Sequence, residues 1–167
     1  MKKTISLFLF VFVCILCAPL TARAENISVP PSNAYEAQIK ERVSIINEKV
    51  KSNRKIQAEI NKKSKRAADL YLTAFGRCAA PNQADIKKAE MMEAQLGKIA
   101  EQVILVDKMV TDKIHMAAMH AQHGHPDMAL SSYDAAISLI DKLTDVFKRQ
   151  NDYLQNYIDF LSSLRHK

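Results

Sequence analysis

Residues 126–165, PDMALSSYDAAISLIDKLTDVFKRQNDYLQNYIDFLSSLR, decide the fold. Leu130, Tyr133, Ile137, Ile140, Phe147, Leu154, Ile158 and Leu161 share one register of three- and four-residue steps, with Thr144 and Asn151 as its polar members. That spacing puts one apolar line along a helix, and its persistence from Leu130 to Leu161 predicts packing at shallow angles. The stretch opens on Pro126, which suits a first helical turn, and contains no glycine.

Two further stretches of about 40 residues share this helical spacing and contain no proline. Ala89, Met92, Leu96, Ile99, Val103, Val106 and Val110 form the same pattern in the second. The first begins with Ile39, Val43, Ile46 and Val50, then turns polar at Asn53, Gln57 and Ser64 before Ala67 and Tyr71 restore it. This polar seam has two readings: a helix that leaves its neighbours, or a buried polar layer that fixes register.

Breakers separate the three stretches. Pro30-Pro31-Ser32-Asn33, the segment from Gly76 to Asn82, and Gly124-His125-Pro126 carry every glycine and proline after residue 24 except Gly97. Asn33 with Glu36 has capping-box spacing, and Asn82 is placed to cap the second helix. Gly76 and Gly124 are placed to end helices in the left-handed conformation. The expectation is all-α: an elongated antiparallel three-helix bundle over residues 33–167. Its helices would span about 33–75, 82–123 and 126–165, rods of about 60 Å at about 1.5 Å per residue.

Residues 1–24 have the three parts of a secretory signal: Lys2-Lys3, an apolar run from Ile5 to Leu16, and a small-x-small end at Ala22-Arg23-Ala24. The run is shorter than the roughly 20 residues of a membrane span, and no later segment is apolar enough. Val13 and Leu16 stand before Cys14 and Cys17 where lipoprotein processing needs a small residue, which argues against acylation. The expectation is a periplasmic or secreted, soluble chain in a bacterial envelope. Residues 25–32 would form a short extended lead, and its Asn26-Ile27-Ser28 sequon matters only in a eukaryote. Cleavage removes three bases and no acid, so the net charge falls from +6 to +3, which announces no nucleic-acid partner. Cys78 alone survives, so no internal disulfide staples the fold. It is a buried thiol, or the site of an intermolecular disulfide: a mixed disulfide, or a covalent dimer that would make the protein a homo-oligomer.

Two surface features stand out. Residues 115–125, HMAAMHAQHGH, put Met116, His120 and His123 on one side of a helix, with His125 past its end and His115 as a further member of the cluster. Imidazole with thioether suits copper, and imidazole alone suits zinc, copper or nickel. Equally, histidines at a helix end complement its dipole, and Met116 and Met119 have the spacing of packing residues. The second feature is a basic stripe: Lys51, Arg54, Lys55, Lys62, Lys63, Lys65 and Arg66, joined by Lys49. It offers charge to an acidic partner, or it is a solvated face that neutralises Glu90, Glu93, Asp152 and Asp159. Without interleaved aromatics it is a poor single-stranded nucleic-acid site.

Gly124, Ala129, Tyr133 and Ala136, with Ala117 before them, have the small-aromatic-small spacing of a helical hairpin. Over residues 113–141 the chain resembles a single tetratricopeptide repeat, which implies peptide or protein binding. Asp141 replaces the usual proline, Lys113 an aromatic, and no second copy follows. The chemistry also fits a plain close contact between two helices. No phosphate loop, nucleophile elbow, His-Glu-x-x-His or Cys-x-x-Cys occurs, so catalysis is not expected.

The chain is therefore expected to be an exported interaction or assembly protein that works with other envelope proteins. Exported three-helix rods are similar to the pilus-tip subunits of conjugation and type IV secretion systems, which implies an accessory role in such a machine. A periplasmic transition-metal binder and a holdase-like chaperone are the alternatives.

Overall fold

The computed structural model describes residues 35–76 and 82–164. Within them are three helices and no strand: α1 (Glu36–Gly76), α2 (Gln83–Gln122) and α3 (Pro126–Ser163), packed as a bundle. The expected signal peptide at residues 1–24, the lead at 25–32, the Asn33 cap, Cys78 and residues 165–167 lie outside the described residues.

The local chemistry explains most boundaries. Asn82 accepts from the Ala84 amide at 2.9 Å through Oδ1, satisfying one free donor at the start of α2. At its other end, His125 N–H donates to the His120 carbonyl at 2.9 Å and Gly124 N–H to the Ala121 carbonyl at 3.3 Å. Those bonds, with φ of 75° at Gly124, form the glycine-terminated cap that closes a helix. Gly76 departs from expectation: its φ is not positive, because α1 continues helically through it as its last residue.

The described chain divides into two units. The turn unit comprises α1 up to Arg54 and Val103–Asp145, and the terminal unit comprises Lys55–Gln102 with α3 from Val146. In the turn unit Arg42 bonds Asp134, Lys49 bonds Asp141, and Thr144 donates to Asn53 Oδ1 at 2.8 Å. Numbers rise together in these pairs, so α1 and α3 run parallel there. In the terminal unit Arg149 donates to Gln102 at 3.3 Å, Tyr157 to Glu93 at 2.6 Å, and Lys88 sits over the Phe160 ring at 4.6 Å. Here one number rises as the other falls, so α2 and α3 are antiparallel. Both results fit the expected up-down-up order.

The core of the turn unit contains Ile39, Ile46, Val50, Val110, Ala117, Tyr133 and Ile140, with Ala129 and Ala136 between them. In the terminal unit Ile60, Ala67, Leu96, Ile99, Phe147, Leu154, Tyr157, Ile158 and Leu161 are buried. The expected seam of α3 is displaced. Tyr133, Ile140, Phe147, Leu154 and Leu161 are buried as anticipated, but Leu130, Ile137, Thr144 and Asn151 are only half-buried. Their place is taken by Ala129, Ala136, Leu143, Gln150 and Tyr157, each one residue earlier than a position in the expected line. A helix that touches two neighbours needs a stripe wider than a two-position seam, and Ile158 lies on its other border.

The polar seam of α1 is inside. Asn53 and Ser64 are buried and Gln57 is half-buried, so α1 keeps its face inward at these positions. Unpartnered buried polar atoms occur in each unit: Asn53 Nδ2 and Asp107 Oδ1 in the turn unit, and Asn61 Oδ1 and Ser64 Oγ in the terminal unit. Burial pushes the Asp107 carboxyl from 3.8 up to about 6. A raised folded value favours the protonated form, so the stability this supplies is full below 3.8 and is lost as pH rises through about 6. Asp107→Asn is therefore expected to unfold near the wild-type temperature below pH 3.8 and above it at neutral pH. Thermal unfolding across this range checks the sign; a difference independent of pH would contradict it.

Candidate functional site

The histidine segment is built into the turn between α2 and α3. His120 and His125 supply the backbone atoms of the glycine cap described above. The His123 ring lies back along its own helix, with Nδ1 2.8 Å from the Met119 carbonyl oxygen, to which it donates when that nitrogen carries the proton. The same carbonyl also accepts the His123 backbone N–H at 3.0 Å, so ring and backbone of His123 share one acceptor at the helix end. His115, His123 and His125 are exposed, His120 is half-buried, and Met116 is exposed. Among the described residues no three His, Cys, Asp or Glu side chains are gathered to hold a metal ion. The structure thus gives the segment a capping role at His120, His123 and His125.

The basic stripe has a different character. Lys55, Lys62, Lys65 and Arg66 are exposed and Lys63 is half-buried on the terminal-unit part of α1; Lys51 and Arg54 are exposed on its turn-unit part. Among the described residues none of these seven makes an ion pair. The pairs that do form use other bases: Lys40 with Glu36, Arg42 with Glu41 and Asp134, and Lys49 with Asp141. The acids expected to balance the stripe are used elsewhere or stand apart from it. Glu93 accepts from the Tyr157 hydroxyl and Asp159 accepts from Gln155 at 2.9 Å. Lys55, Lys62 and Arg66 occupy one face of the helix, at steps of seven and four. All three are exposed, so the charge is open to an external acidic group.

The small-residue contact is real as packing. Ala117, Ala129, Tyr133 and Ala136 are all fully buried in the turn-unit core, where alanines let two helix backbones approach. Tyr133 brings its hydroxyl into that core without a partner, and burial raises its pKa.

Two features were not anticipated. Glu93 is half-buried beside Tyr157 and Tyr71, and its carboxyl is raised by burial first and by Glu90 as well, while the Tyr157 bond lowers it. Tyr157 is pushed far up by burial and by Glu93, which keeps it a donor. The second feature is an exposed apolar line on α2: Leu105, Met109, Met116 and Met119, with Ile104 beside it. A second three-and-four series, 105-109-112-116-119, was present in the sequence but hidden by the more apolar inner series from Val103 to Val110.

No helix among the described residues is long and apolar enough to cross a membrane. No protein-family model, curated protein or solved structure matches this chain, so the likeness of residues 113–141 to a tetratricopeptide hairpin rests on those residues alone.

Proposed function

We propose that this chain is an exported helical interaction protein that docks onto an acidic surface of another envelope protein, as an accessory subunit of a secretion or conjugation machine. The observation that carries this reading is the unpaired basic stripe. Lys55, Lys62, Lys65 and Arg66 are exposed and unneutralised although the chain has 18 acidic residues, several on adjacent helices. Like charges kept together cost stability through self-repulsion, and an acidic partner removes that cost on binding.

The stripe has a direct test. Lys55→Glu, Lys62→Glu, Lys65→Glu and Arg66→Glu are combined in one full-length chain, and partners are cross-linked in intact cells. The substitutions are exposed and keep helix-forming residues, so circular dichroism should be unchanged. The wild type should yield a discrete adduct that the variant loses. In extracts the complex should persist near 0.1 M salt, where the screening length is about 10 Å, and dissociate near 1 M, where it is about 3 Å. Equal adducts from both proteins would refute the stripe as the docking surface. Broad salt-sensitive capture of many unfolded chains would replace it with chaperoning.

A further inference from the structure

We infer that the outer face of α2 is the dimerisation surface of this protein, and that a second copy of the chain covers it in antiparallel orientation. This surface lies within the turn unit and is separate from the basic stripe. Leu105, Met109, Met116 and Met119 are between 43 and 61% exposed, and Ile104 is 48% exposed. Single exposed apolar residues are ordinary, but five on one face of one helix form a contiguous patch of the kind that binds protein. Their spacing is that of a helix seam. Positions 105, 109, 112, 116 and 119 alternate four and three, so a second helix can lay knobs into this line as it does into the inner one.

The charge in the seam identifies the occupant. Asp112 is the one acid in this line, it is exposed, and it has no ion-pair partner among the described residues. Lys108, one turn earlier on the same edge, is likewise exposed and unpaired. A neighbouring helix that covers Met109 and Met116 must bring a cation to Asp112 and an anion to Lys108. A second copy does both at once. With a twofold axis at the height of Val110, Lys108 lies opposite Asp112 of the partner subunit, and the symmetry repeats the pair. The same register sets Ile104 and Leu105 against Met116 of the partner subunit on both sides of the axis. Met109 flanks the axis. A parallel pairing would instead face Asp112 with its own copy and Lys108 with its own copy, which like-charge repulsion opposes. Methionine suits such a joint because its flexible thioether adapts to the facing surface.

The test uses the full chain, expressed with its own first 24 residues and purified from the exported fraction. Sedimentation equilibrium of the wild type should show a monomer–dimer equilibrium. Asp112→Lys and Lys108→Asp should each weaken dimerisation by about tenfold or more, since about 1.4 kcal/mol of lost pairing and added repulsion has that effect. The double variant Lys108→Asp with Asp112→Lys restores opposite charges across the axis and should recover dimerisation to within about threefold of wild type. All four proteins should have the same helicity, because both positions are exposed. A wild type that stays monomeric at every concentration overturns the proposal. A double variant as weak as the single ones overturns the antiparallel register.

Discussion

Replacing Phe147 by alanine is expected to remove about 3–5 kcal/mol of stability, the largest loss from any single truncation in the terminal unit. Phe147 is fully buried on α3, in the line that also holds Leu143, Leu154 and Leu161. It follows Val146, also buried, so two adjacent side chains of α3 enter the core at this height. A helix that presents consecutive residues inward is one that packs against two neighbours, and a void there is felt by both. No internal disulfide is available to offset it after residue 24, with Cys78 the single cysteine there. Against a typical total of about 5–15 kcal/mol, the variant should unfold at much lower denaturant concentration. Urea unfolding followed by circular dichroism measures this; a loss under about 1 kcal/mol would mean that Phe147 is not enclosed.

Gln150→Leu is expected to act in the opposite direction and raise stability by about 1–3 kcal/mol, the cost of leaving buried polar groups unpaired. Gln150 has no exposed surface, and neither its amide nitrogen nor its carbonyl oxygen has a partner. Leucine has a similar volume and no polar group to desolvate, so the seam position becomes an ordinary core position. In a helical protein of this size the gain corresponds to an increase in Tm of roughly 3–10 °C. Asn61 Oδ1, Ser64 Oγ and Asn151 Oδ1 in the same unit are also unpartnered, so the wild-type layer trades stability for something else. Register is the physical candidate, because polar groups in a repetitive seam disfavour sliding by a heptad. An unchanged or lower Tm in Gln150→Leu would show instead that ordered water satisfies the amide.

Sequence carried the helices because apolar spacing, breakers and caps agreed. Asn82 and Gly124 do what their residue types dictate, whereas Gly76 shows that a glycine permits the left-handed conformation without requiring it. The α3 seam was displaced because periodicity alone does not say how many neighbours a helix has. Ala129, Ala136 and Gln150 carry little apolar signal, yet they lie deeper than Leu130, Ile137 and Asn151. The polar seam at Asn53 and Ser64 was visible, but only burial chose the inward layer over a departing helix. At the candidate site, the basic stripe was legible as a run of residue types, and its lack of ion pairs emerged only from the positions of the acids. The outer line of α2 was overlooked because Met116 was assigned to the histidines. Asp107 and the Glu93–Tyr157 pair were overlooked because one burial and one pairing across two helices leave no local pattern.

The central claim is that the basic face of α1 meets a specific acidic protein, and one measurement addresses it most directly. A photoreactive amino acid is placed at position 62, and in a separate chain at the exposed Ser138 on α3, and each protein is irradiated in its native cells. The account predicts a discrete adduct from position 62, absent from position 138, whose partner peptide is rich in Asp and Glu by mass spectrometry. No adduct at position 62, or the same adducts from both positions, would contradict it.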